Sequence, residues 1–120
     1  MVLEPNCIRD LLFSIESNSS CNSDIRFPGN LFNHLSDKYT EDQMKYHLKQ
    51  MGKNGLIEIK MENILNELVI NDLTPKGHEL CAQIRSDKVW KKILKKLPKF
   101  SLTLLDLTKT ASSIYFGLNG

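Results

Sequence analysis

Apolar residues in this chain fall into helical spacings and short extended runs separated by polar, glycine or proline breaks. Ile8, Leu11, Leu12 and Ile15 recur at i, i+3, i+4 and i+7, with Arg9, Asp10 and Glu16 on the other side. That spacing predicts an amphipathic helix over residues 5–17. The polar run SNSSCNS at residues 17–23 has no face to bury and is rich in residues that bond their own backbone, so it reads as a loop. Residues 24–27 form a short extended piece stopped by Pro28 and Gly29. Leu31, Phe32 and Leu35 then predict a short helix before a turn at residues 36–39.

The stretch TEDQMKYHLKQMGKNGLI, residues 40–57, carries the most information. Thr40 and Gln43 have the spacing of a capping box, in which each side chain bonds the other's backbone amide. Met44, Leu48 and Met51 share one stripe of the helix that follows. The opposite face collects Lys45, Tyr46, Lys49, Gln50 and Lys53, side chains that can reach phosphates and base edges. Gly52 to Gly55 close the helix, and Leu56, Ile57 and Ile59 begin a strand. A polar hinge at residues 61–67, with Glu62 and Glu67 at its tip, joins that strand to a second at residues 68–72. Helix, glycine and hairpin in this order predict a winged helix-turn-helix with residues 41–53 as its recognition helix.

Thr74 and Pro75 start another helix, reaching about Arg85, because proline at the first helical position loses no intrahelical bond. The pattern then predicts a helix capped by Asp87, which buries Val89, Trp90, Ile93, Leu94 and Leu97 and ends at Pro98. A last helix is predicted to be capped by Ser101. In it Leu104, Leu107, Ala111, Ile114 and Leu118 are spaced 3, 4, 3 and 4, the seam of a helix packed along another. The seam must be covered by the rest of the chain or by a second copy. A two-fold homodimer with Ala111 near its axis is the expected assembly. The whole is one mainly α domain with a small β-hairpin (α+β): a core at residues 5–85 and a helical extension at residues 87–118.

Composition adds limits. With 120 residues, 41% hydrophobic and 25% charged, the chain has the make-up of a single globular domain that requires no metal or disulfide staple. Cys7, Cys21 and Cys81 are odd in number and widely spaced, and no signal-like segment precedes them, which places the protein in a reducing cytoplasm. The apolar stretch at residues 102–118 is broken by Asp106 and Lys109, so no membrane span is expected. The net charge of +2 is unevenly distributed: residues 1–75 have seven basic and eleven acidic residues, whereas residues 76–100 have eight basic and two acidic. Lys91, Lys92, Lys95 and Lys96 form a ridge of lysine pairs one turn apart, suited to phosphates or to an acidic protein, or to plain solvation.

Little else suggests chemistry. His78 and Cys81 are the only local pair with ligand or nucleophile–base character. A zinc site needs four ligands, and Cys7, Cys21, His34 and His47 are scattered. Cys81 falls beside Leu80 and Ile84 at a position expected to be buried and inert. His47 flanks the Met44 and Leu48 stripe, where a hydrogen-bonded core histidine is expected, and Trp90 has the placement of a core residue. No phosphate-binding lysine loop, dinucleotide glycine motif or metalloprotease motif occurs, so neither an enzyme nor a cofactor is expected.

The segments IRDLLFSIE, YTEDQMKYHLKQMGKNGLIE, INDLTPKGHEL, IRSDKVWKKILKKL and SLTLLDLTKTASS together give the chain a resemblance to a family of short proteins found largely in phages and prophages. That family is catalogued as a domain of unknown function, DUF2513. The resemblance implies a winged-helix-like fold and a mobile-element origin, and no particular reaction or ligand. Two functions are therefore expected from different classes. One is a DNA-binding regulator, with residues 41–53 in the major groove of duplex DNA. The other is an accessory protein that docks on and inhibits a host protein through the same fold.

Overall fold

A computed structural model describes residues 1–18 and 24–119, the side chains of Leu118 and Asn119 excepted. The loop expected at residues 17–23, with Cys21, therefore lies mostly outside the described residues. The elements run α1 (Pro5–Ser17), β1 (Ile25–Phe27), a 3₁₀ helix (Asn30–Leu35), α2 (Glu41–Lys53), β2 (Ile57–Glu62), β3 (Leu68–Leu73), α3 (Pro75–Gln83), α4 (Asp87–Lys96) and α5 (Leu104–Asn119). The chain is thus an α+β domain in which the helices outweigh a three-stranded antiparallel sheet.

Strand order in the sheet is β1-β3-β2, with Ile25 opposite Ile70, Phe27 opposite Leu68, and Ile57 opposite Leu73. Central β3 buries Leu68, Val69 and Ile70 in succession, whereas edge strand β2 exposes Glu58, Lys60, Met61 and Glu62. Helix α1 fills the middle of the molecule. Its Cys7, Ile8, Leu11, Leu12 and Ile15 are completely buried, and each large aliphatic among them contributes about 1.5–3 kcal/mol relative to exposure.

Local chemistry sets the helix ends. Thr40 Oγ1 accepts the Gln43 amide at 3.1 Å and Gln43 Oε1 accepts the Thr40 amide at 2.9 Å, the capping box that the sequence predicts. At the other end of α2, Gly55 takes φ 75°, so that its amide reaches Gly52 O and that of Leu56 reaches Met51 O. Thr74 Oγ1 caps α3 through the Gly77 amide at 3.1 Å. Gly77 itself is obligatory, because a Cβ there would meet the Leu56 carbonyl oxygen.

Two caps differ from expectation. Ser86, not Asp87, caps α4 by accepting the Val89 amide, and Asp87 is the first helical residue. Helix α5 is capped by Thr103, whose hydroxyl accepts the Asp106 amide at 3.1 Å while Asp106 accepts the Thr103 amide at 3.0 Å. Ser101 lies two residues earlier, at φ 57°. In both cases the working residue stands three positions before the amide it bonds, the spacing that capping geometry demands.

The seam of α5 also requires a correction. Leu104, Leu107 and Ala111, expected at a dimer contact, are at most 2% exposed within the single chain, because α5 packs against α3 and α4. Ile114 is half-buried beside them, and the Leu118 side chain lies outside the described residues. The first three seam residues are therefore covered by their own chain and not held open for a second copy.

His47 is 1% exposed and fully bonded: the Glu4 amide donates to Nε2 at 2.8 Å, and Nδ1 lies 2.7 Å from the Gln43 carbonyl. These partners fix the neutral ring, with the proton on Nδ1. Burial pushes the His47 pKa below its ordinary 6.5 against smaller opposing effects of the Gln43 carbonyl and Glu4. A depressed folded-state value means that the unfolded chain binds the proton first as the solution is acidified. The urea midpoint should therefore hold above pH 6.5 and decline as pH falls below it toward the folded value. In His47→Gln this decline between pH 7 and 5 should flatten, whatever the variant's absolute stability. An unchanged acid limb would show that another group controls it.

Candidate nucleic-acid interface

The capping box and the buried Met44, Leu48 and Met51 fix the rotation of α2, and so decide where its polar residues go. They do not stay together. Lys49 Nζ lies 3.1 Å from one Glu62 oxygen and Lys45 Nζ 3.5 Å from the other, and Lys45 also donates to the Asn66 carbonyl. Lys49's hydrogen bond leads in holding the Glu62 carboxyl below the usual range. Tyr46 and Gln50 instead line a cleft of about 650 Å³, together with the N-terminal residues and the connection from α4 to α5. Only Lys53 remains exposed at the end of the helix without an ion pair among the described residues.

Helix α4 presents a different surface. Trp90 and Ile93 are buried on its inner side, and Leu97 follows just past its end. Trp90 Nε1 donates to Asn6 Oδ1 at 2.8 Å, which confirms the core placement of the indole. Asp87 is held by Arg9 at 2.9 Å. Lys91, Lys92, Lys95 and Lys96 are all exposed, and none has an ion-pair partner among the described residues. Lys88 and Lys99 extend the same basic run at either end. Lys95 and Lys96, in the last turn, also complement the helix dipole.

Nine residues grouped from the sequence are thus divided four ways by the fold: Lys45 and Lys49 tied to β2, Tyr46 and Gln50 in a cleft, Lys53 exposed at the end of α2, and four exposed lysines on α4 with no ion pair among the described residues. Sequence reasoning missed Glu62 as the partner of Lys45 and Lys49. The acid was visible in the sequence, but its reach to α2 depends on how the hairpin packs. It also missed Phe100, 86% exposed at the cleft; a lone aromatic between Pro98 and Ser101 was the available signal.

Cys81 is completely buried, and burial pushes its thiol up to about 12, with Glu16 adding to the effect and Arg85 opposing it. His78 is exposed, and no hydrogen bond joins it to Cys81 among the described residues. Among the described residues no group of three or more His, Cys, Asp or Glu side chains is placed to hold a metal ion, and no helix is long and apolar enough to cross a membrane.

Fold and surface together define a small α+β domain that, among the described residues, presents a basic helix face without ion pairs and an adjoining cleft. The chain belongs to the DUF2513 family of hypothetical proteins, whose model matches residues 3–103, from the start of the chain to the residue before α5. No curated protein and no solved structure matches the chain.

Burial of the two described thiols has a direct consequence. Cys7, completely buried in α1, is likewise pushed up to about 12, chiefly by burial. Since the thiolate is the reactive form, a thiol reagent at pH 8 should leave Cys7 and Cys81 unlabelled in the native protein and modify both after denaturation, as read by peptide mass spectrometry. Rapid native labelling of Cys81 would reopen the nucleophile reading.

Proposed function

We propose that this chain is a winged helix-turn-helix protein of phage or prophage origin that acts in the cytoplasm as a regulator, holding nucleic acid by its phosphate backbone along α4. The order α1, β1, 3₁₀ helix, α2, then a β2–β3 hairpin, with β1 completing the sheet beside β3, supports the winged-helix reading. The observation that carries the binding mode is the contrast between the two lysine faces. Lys45 and Lys49 share one carboxylate, and Glu41 and Asp42 add negative charge in the first turn of α2. The four lysines of α4 make no ion pair among the described residues, and Asp87, in the first turn of the same helix, is engaged by Arg9. A phosphate approaching α2 meets a neutralised surface; one approaching α4 releases counterions.

A second reading has its own observation. The hairpin tip exposes Ile64 at 96% and Leu65 at 76%, beside exposed Met61. An apolar, acid-flanked wing tip is unsuited to phosphates and suited to docking on a protein. The host-protein reading therefore keeps the hairpin as its surface.

Fluorescence anisotropy with labelled DNA separates the two. Replacing Lys91, Lys92, Lys95 and Lys96 together by glutamine should abolish most of the affinity at 50 mM salt and flatten the logarithmic salt dependence by about 0.9 per phosphate contact removed. The melting temperature should hardly change, because all four side chains are exposed. Affinity that survives the quadruple substitution would overturn the α4 reading, and absence of any binding by the native chain at micromolar concentration would favour protein docking.

Glu62→Gln makes a complementary case. Freeing Lys45 and Lys49 should raise DNA affinity and steepen its salt dependence. No change in either would show that α2 stays away from the phosphates even when its lysines are unpaired.

A further inference from the structure

Beside the C-terminal end of α4 lies the cleft of about 650 Å³ lined by Tyr46 and Gln50 of α2 and by Asn54 just past its end. Lys99 and Phe100, from the connection between α4 and α5, also line it. This volume is within the roughly 300–1,000 Å³ of small-ligand sites. No carboxylate is among the lining residues. The Tyr46 hydroxyl and the Gln50 side-chain amide have no hydrogen-bond partner among the described residues, whereas the Asn54 amide donates to the Gln50 carbonyl. Phe100 is 86% exposed, which leaves its ring open to a stacking partner.

We infer that this cleft receives an unpaired nucleobase, so that the nucleic acid held along α4 is single-stranded where it passes Lys99. The inference rests on the α4 reading and adds the class of nucleic acid. A base has two aromatic faces and an edge of donors and acceptors. Phe100 and Tyr46 supply the aromatic surface, and Gln50 supplies an uncommitted amide that can both donate and accept at the base edge. Lys99, just past the last turn of α4, continues the basic run from Lys95 and Lys96 to the mouth of the cleft, where the phosphate attached to that base would lie. A base inside a duplex is already stacked and paired and cannot enter; one in a single strand, bulge or frayed end can. Stacking platforms beside a basic track are how proteins hold single strands with little regard to sequence.

The full chain should be titrated with a fluorescein-labelled twelve-residue oligothymidylate and with a blunt duplex of the same length. The single strand should bind about tenfold or more tightly. Phe100→Ala should weaken single-strand binding roughly fivefold or more, the low end of what one stacked base contributes. It should leave duplex binding and the melting temperature unchanged, since the ring is exposed. With 5-iodouracil placed singly along the oligonucleotide, photo-cross-links should map to Tyr46 or Phe100. Equal affinity for both forms, an inert Phe100→Ala, or cross-links confined to α4 would overturn the inference while leaving the α4 reading standing. Loss of all binding in the quadruple lysine variant, with the cross-link to Phe100 present in the native chain, would support both. If neither DNA form binds at 50 mM salt, the α4 reading fails as well, and the base site with it.

Discussion

Arg9 holds the corner between α3 and α4 on which the orientation of α4 depends. From the middle of α1 its Nε donates to the Ile84 carbonyl, and its Nη2 donates to the Arg85 carbonyl and to Asp87, all within 3.1 Å. It thereby satisfies carbonyls left open where α3 ends, and it anchors the first residue of α4. The guanidinium also stacks over Phe13 and Trp90, and Trp90 is tied back to α1 through Asn6. With one side chain fixing both the bend after α3 and the rotation of α4, the Trp90 and Ile93 side faces inward and the lysines face water. Lysine could not replace it, since a point charge cannot serve two carbonyls and a carboxylate in a fixed fork.

Electrostatics divides the surface that this packing creates. Residues 1–75 are acidic on balance, and β2 delivers that acidity to α2 in the form of Glu62. A carboxylate between two ammonium groups occupies the place that a phosphate would take, so the helix that looks like a reader of DNA is neutralised by its own hairpin. The basic surplus sits on α4, outside the order of elements on which the winged-helix reading rests. Charge and fold therefore point to different helices.

The N-terminal segment joins the core to the cleft. His47, buried on the inner side of α2, accepts the Glu4 amide and so ties the first residues of the chain beside Tyr46, whose ring meets the imidazole edge-on at 5.4 Å. One wall of the cleft thus depends on a neutral histidine in the core. Glu4 is the charged neighbour that opposes the drop in its pKa, which leaves burial as the dominant effect.

The sequence by itself determined what local rules control. The bounds of α1 and α2 and the capping box at Thr40 were legible from periodicity and spacing, as was the β2–β3 pair, because each is decided by residues within a few positions of one another. The burial of Trp90, His47 and Cys81 was legible too, since a polar or reactive residue on an apolar stripe has one place to go. Tertiary structure decided the rest. Whether the α5 seam meets its own chain or a copy depends on which helices cover it. Whether Lys49 is free depends on where Glu62 arrives, and the cleft exists only because Tyr46 and Phe100, far apart in sequence, are brought to one place. Periodicity says which face of a helix is apolar; only packing says what stands opposite the other face.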